Sequence, residues 1–265
     1  MITDTARIAE RTISVSSVYP DVHAYCAEYH AAGEPDFAVT VTPENLEYER
    51  NMLARTDETE GRTGRQYTEP FLEELAVYRQ IADHMIRYDT VLFHGSAVAV
   101  DGACYLFIAK SGTGKSTHTA LWRQMLGGRA VMVNDDKPLL KITEQGVTVF
   151  GTPYNGVHRL STNIAVPLKA ICILTRSETN QIMPVTGKEA YPMLLQQVYR
   201  PADPVRMMQT VRLVDRLVKQ TAFYRLGCNM EPEAAETAYR GMNAEPPSLA
   251  AASEIPKRAK HSDDI

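Results

Sequence analysis

Residues 109–116 read A K S G T G K S, between the apolar run Cys104–Ile108 and the stretch T H T A L W R Q M L. Consecutive backbone N–H groups converge on one anion only where the chain can take positive φ without a Cβ clash. A helix that follows adds its N-terminal amides. Gly112 and Gly114 supply that freedom, Lys115 has the reach for β- and γ-phosphates, and Ser116 is placed for Mg²⁺. Ser111, Thr113 and Thr117 complete the expected contact set. The loop therefore predicts binding of ATP with Mg²⁺. Its first position, glycine in the usual pattern, is Ala109 here. Alanine is the smallest intrusion there, and the loop is expected to survive it.

Phosphoryl transfer also needs a metal-holding carboxylate and, for an alcohol acceptor, a base aimed at its proton. Asn134-Asp135-Asp136 closes an apolar run, beginning 19 residues after Lys115. A parallel strand next to the one leading into the loop would bring this pair beside the phosphates. Neighbours on a strand point apart, which predicts divided labour between the two carboxylates. His94, before Gly95, ends another apolar run; by spacing alone it reads as an ordinary core histidine. The stretch G T P Y N G V H R L S T N, 151–163, offers Arg159 to neutralise phosphoryl charge or bind an anionic substrate. His158, Asn163 and Lys137 are further polar candidates.

The segment from His94 to Asp136 resembles the catalytic domain of HPr kinase/phosphorylase and, more loosely, ATP-dependent phosphoenolpyruvate carboxykinase. In that family a His-Gly dipeptide opens a hairpin strand 15 residues ahead of a Gly-x-Ser-Gly-x-Gly-Lys-Ser loop, and a later strand ends in Asp-Asp. Here His94-Gly95 stands 15 residues before Ala109, and Ser111, Gly112, Gly114, Lys115, Ser116, Asp135 and Asp136 match. The resemblance implies an α/β fold: a P-loop core with twisted, mostly antiparallel or mixed sheets and flanking helices. It implies that Asp135 is the acid–base residue, His94 its supporting partner and Asp136 a metal-linked carboxylate. The family's Glu-x-Arg-Gly element has no counterpart in the chain, so a kinase with little or no phosphorylase activity is expected. The implied acceptor is a hydroxyl, a serine of a protein or peptide, with a small molecule as the alternative. An ATP-binding protein with weak hydrolysis is the reading from another class.

The chain has 265 residues, 44% of them hydrophobic, and a formal charge of −4. That balance gives no reason to expect nucleic acid or an anionic membrane as partner. The start M I T D T A R I A E R T lacks the features of a signal peptide, and a cytoplasmic setting is expected. Four cysteines, at 26, 104, 172 and 228, have neither the spacing of a thiolate zinc site nor a context for disulfides. His23, Cys26 and His30 would share one face of a helix, a face better suited to packing on the body than to metal.

Three parts are expected: an extension or small subdomain over 1–88, the kinase-like core over 89–243, and a peripheral or disordered tail over 244–265. The extension leaves self-association open. Alternation predicts a strand over 37–42, then a helix to 54, a loop over 55–70 and a helix of about 18 residues after Pro70. Asp101-Gly102 predicts a hairpin between V L F H G S A V A V and A C Y L F I A. A helix is expected over 116–126, ended by Gly127-Gly128. Strands follow over R A V M V N D D K P L L, T V F G T P Y, L K A I C I L T and F Y R L, with helices near 187–199, 203–221 and 233–239. The adenine pocket has no legible motif, although side chains after 175 are candidates.

Overall fold

A computed structural model describes residues 1–156 and 158–244. The expected tail beyond 244 lies outside the described residues. In chain order, β1 (Ile2–Ile8) and β2 (Arg11–Ser17) form a hairpin, followed by α1 (Asp21–Tyr25), β3 (Phe37–Thr40), α2 (Pro43–Thr59) and α3 (Glu69–Met85). Then come β4 (Thr90–Leu92), β5 (Ser96–Val100), β6 (Ala103–Ile108), α4 (Lys115–Leu126), β7 (Ala130–Asn134), β8 (Leu139–Thr143) and β9 (Gly146–Phe150). The chain continues through β10 (Ala165–Arg176), β11 (Gln181–Val185), α5 (Gly187–Gln197), α6 (Pro204–Gln220), β12 (Ala222–Cys228) and α7 (Glu233–Asn243). No helix among the described residues is long and apolar enough to cross a membrane.

The main sheet is mixed and has nine strands, in the order β4-β8-β9-β10-β6-β5-β7, with β12 and β11 joined beyond β10. It curls because β10 is long enough to serve two neighbourhoods. Residues 165–167 pair antiparallel with β9, while 168–176 run parallel to β6 and β12. Both faces of the central strands are covered, so β6 and β10 read as unbroken apolar runs. Leu106, Ile108, Ile171 and Ile173 point to the face packed by α5 and α6 through Leu194, Leu213 and Leu217. Tyr105, Phe107, Cys172 and Leu174 point to the other, packed by Trp122 of α4 and Ala235 and Ala238 of α7.

A second, three-stranded sheet orders β1-β2-β3. Its core continues into the main body: Ile13, Val15 and Val39 cluster with Ile81 and Met85 of α3 and with Leu139, Phe150 and Tyr154. The β1–β2 hairpin left little signal because its turn residues, Ala9 and Glu10, take positive φ (46° and 68°) without glycine or asparagine. Edge strand β11 was equally hidden, by Pro184 inside it. Helix α2 runs five residues past the expected stop at 54, to Thr59. Asp57 in that last turn accepts from Arg62 (2.9 Å) and Tyr67 (2.6 Å), tying down the segment read as loop. Helix α7 likewise outruns its expected end at 239, since Ala234, Ala235, Ala238 and Met242 form one buried stripe.

Candidate active site

The glycine loop follows β6 and opens α4. Gly112 and Gly114 take φ of 72° and 115°, the region that disfavours any side chain, and Lys115 is the first helical residue. The turn is braced from within by Thr113, whose hydroxyl donates to the Lys110 carbonyl (2.8 Å). From across the sheet, Arg176 at the end of β10 donates to the Gly112 carbonyl (2.6 Å). Ala109 is fully buried, and its methyl joins the cluster around Phe107 and Trp122. The substitution is tolerated because the left-handed positions of this loop lie later, at the two glycines. Ser111, Ser116 and Thr117 are exposed at the mouth of the loop.

Lys115 turns back toward the sheet. Its Nζ lies 3.2 Å from His94 Nε2, and the same imidazole nitrogen lies 3.2 Å from Asp136 Oδ1. Lys137 Nζ contacts Asp136 Oδ2 at 2.6 Å. Burial lowers the Lys115 pKa, opposed by the Asp136 charge. Burial pushes the Asp136 carboxyl up, but the His94 hydrogen bond and the Lys137 ammonium outweigh it and hold it well below the usual range. Asp136 is thus an anion held between the His94 imidazole and the Lys137 ammonium.

Asp135 is its opposite. The residue is 4% exposed; Oδ1 accepts from the Gly156 N–H at 2.6 Å, while Oδ2 is buried with no partner among the described residues. Burial raises its pKa against the Gly156 bond, and the neighbouring Asp136 charge raises it further. A buried carboxylate with a free oxygen and a raised pKa is suited to receive a proton, whereas a low-pKa carboxylate suits cation binding.

The structure places several of these groups otherwise than the sequence suggests. The run V L F H G S A V A V is two strands in different parts of the sheet, and His94 sits in the break between them. Gly95 permits that break: a Cβ there would stand 2.9 Å from Leu106 Cδ1 and 3.1 Å from the Phe107 carbonyl. His94 therefore faces Asp136, and Asp135 takes its support from Gly156. Strand β7 shares the direction of β6 but is not its neighbour, because β5 lies between them and pairs antiparallel with both. The aspartates diverge because both lie beyond the end of β7, where the loop returning beside it claims Asp135: its N–H donates to the Leu160 carbonyl (3.1 Å). Arg159, at φ 49°, stacks its guanidinium 3.8 Å over the Tyr25 ring and lies 3.9 Å from Glu74. Its contacts run to α1 and α3, and none reaches Lys115 or Asp136. His158 is exposed, and Asn163 donates to the Glu28 carbonyl (3.0 Å).

The sequence did not single out three residues near this cluster. Asn134 is completely buried behind the aspartates. Glu74 of α3 has a pKa raised by burial, opposed by Arg159 and Lys137. Arg176 grips the glycine loop from 64 residues away. Only Asn134 carried a signal, as the residue preceding the aspartate pair. The His23, Cys26 and His30 set does not gather: α1 ends at Tyr25, His23 pairs with Asp4 (3.0 Å) and Ser17 (2.7 Å), and Cys26 packs near Tyr154.

Beside the glycine loop opens a cavity of 530 Å³, walled by Leu121, Leu174, Cys228 and Met230 with Thr117 and Ser177 at its polar margin. Its size and apolar lining suit a nucleoside. Of the residues after 175, Arg176, Ser177, Cys228, Asn229 and Met230 line it, and none of them is aromatic.

No family model matches the chain, and no curated protein matches it by sequence. Among solved structures, the Hpr(Ser) kinase/phosphatase from Coxiella burnetii is similar over 57% of this chain and 94% of that one, with 11% identity and a TM-score of 0.35. The likeness is a distant one of fold and assigns no residue a role.

Proposed function

We propose that the chain is an ATP- and Mg²⁺-dependent kinase with a P-loop core, transferring a phosphoryl group to a hydroxyl, a serine of a protein or peptide. The observation that carries this reading is the meeting of Lys115, His94 and Asp136 at the foot of a positive-φ glycine turn, with the raised carboxyl of Asp135 alongside. The residues fit the groups. Loop amides and the α4 N-terminus suit phosphates, and the 530 Å³ cavity suits the nucleoside. Among the described residues no three His, Cys, Asp or Glu side chains gather as a metal cage. That fits Mg²⁺, which is usually held by one or two carboxylates with the substrate's phosphates; Asp136 and the Ser116 hydroxyl are the candidates.

Bound Mg²⁺ would neutralise phosphate charge, and ATP would supply the phosphoryl group. Lys115 and the loop amides would hold the anion, and His94 Nε2, 3.2 Å from each of Lys115 and Asp136, would bond one of them at a time. Asp135 would receive the acceptor's hydroxyl proton as its oxygen bonds to the γ-phosphorus and the bond to the ADP oxygen breaks, its raised pKa narrowing the gap to a useful base. Calorimetry tests the first part: Lys115→Ala is expected to weaken ATP·Mg²⁺ binding at least tenfold, on the order of 1.4 kcal/mol. Equal affinities would refute the assignment.

One observation favours slow hydrolysis or binding alone. Asp135 Oδ2 is closed off from solvent, with no partner among the described residues. Incubation with γ-labelled ATP and a serine-peptide library separates the two: label on peptide supports the kinase, and free phosphate alone supports the alternative.

A further inference from the structure

The backbone of Asp136 and Lys137 is held at every polar atom. Asn134 Oδ1 accepts from the N–H of Asp136 (2.9 Å) and of Lys137 (2.6 Å). The Asp136 carbonyl accepts from Gly95 N–H at 2.9 Å. The Lys137 carbonyl accepts from two hydroxyls, Tyr78 on α3 (2.5 Å) and Thr152 (3.0 Å).

Asn134 can serve in this way only in one orientation. Its Nδ2 donates to the carbonyls of Thr152 (3.2 Å) and Tyr154 (3.2 Å) and to Thr152 Oγ1 (3.0 Å), which leaves Oδ1 facing the two amides. An aspartate there would set an anion against those two carbonyls, and an alanine would take a partner from the Asp136 and Lys137 amides and the Thr152 carbonyl in a fully buried place. Tyr78 is also fixed, its ring stacked on Tyr154 at 4.0 Å between centroids.

We infer that Asn134 and Tyr78 are positioning residues, a two-sided clamp on the 136–137 backbone that sets the Asp136 carboxylate for the metal. This rests on the proposed function. The N-terminal part thereby gains a role, because Tyr78 reaches the site from α3 and buttresses the centre as well as packing on it. Outer groups that orient a metal-linked carboxylate commonly alter metal affinity about 10- to 100-fold when removed.

The test compares ATP affinity with and without Mg²⁺ in wild type, Asn134→Ala and Tyr78→Phe. Hydrogen exchange over 134–138 is measured in the free proteins. Both variants are expected to lose about tenfold of the Mg²⁺-dependent gain, keep metal-free ATP affinity within about twofold, and exchange faster over 134–138. Tyr78→Phe keeps the ring stack, so it decides the matter if Asn134→Ala does not fold. A folded Tyr78→Phe protein with unchanged gain and unchanged exchange overturns the clamp. So does an equal loss of affinity with and without metal, since that reports general damage. Wild type that binds no ATP sinks the kinase reading instead, and the exchange data then judge the clamp on their own.

Discussion

Asp135→Asn is expected to make the nucleotide-free protein more stable at neutral pH while abolishing transfer. The Asp135 side chain is buried, with one oxygen bonded to Gly156 and the other without a partner among the described residues, so its charged form is penalised. Desolvating a carboxylate in this way costs on the order of 3 kcal/mol. Asparagine removes that cost, weakens the Gly156 bond by about 1 kcal/mol and leaves a neutral donor unpartnered for about another 1 kcal/mol. The difference is a gain of about 1 kcal/mol, or about 2–4 °C in Tm for a chain of this size. The pH dependence has a definite sign. The folded pKa of Asp135 is raised, so its contribution to stability is intact below the unfolded carboxylate pKa, about 3.9, and is lost as pH rises through the folded value. The advantage of the variant should therefore be present at about pH 7.5 and shrink as pH falls toward 4. Calorimetric melts of both proteins over that range supply the measurement. A variant less stable than wild type at neutral pH, or an advantage that grows on acidification, would refute the reasoning.

Asp136→Asn should act in the reverse sense: it strips the counter-charge from Lys137 and weakens the contact with His94, and costs about 1–3 kcal/mol in thermal melts at neutral pH, a difference that fades on acidification toward the low folded pKa. Ala109→Gly should lower stability by about 1 kcal/mol, through the lost buried methyl and added chain freedom, and leave ATP affinity within about twofold by calorimetry. Gly151→Ala should be far more damaging, because its Cβ would lie 1.9 Å from the Thr162 carbonyl and 2.7 Å from that of Val133. A loss above about 3 kcal/mol in denaturant unfolding is expected, and a mild effect would mean the loop does not return beside β7 as described.

The amino-acid sequence by itself determined what is local. Two glycines separated by one residue, followed by Lys-Ser and an amphipathic run, specify a left-handed turn and a helix N-terminus whatever surrounds them, and the structure has both at Gly112, Gly114 and Lys115. Asp101-Gly102 fixed its hairpin, and Gly127 its helix end, in the same short-range way. Tertiary structure decided everything that depends on burial and on partners distant in the chain. His94 meets Lys115 across 21 residues, Tyr78 meets Lys137 across 59 and Arg176 meets Gly112 across 64. Whether an aspartate is raised or lowered is likewise not a property of its residue type. Asp135 and Asp136 are adjacent and chemically identical, yet the turn after β7 leaves one buried on the Gly156 N–H bond and the other among His94 and Lys137. Desolvation and ion pairing act over a few ångströms of space, and only the folded sheet brings those groups that close.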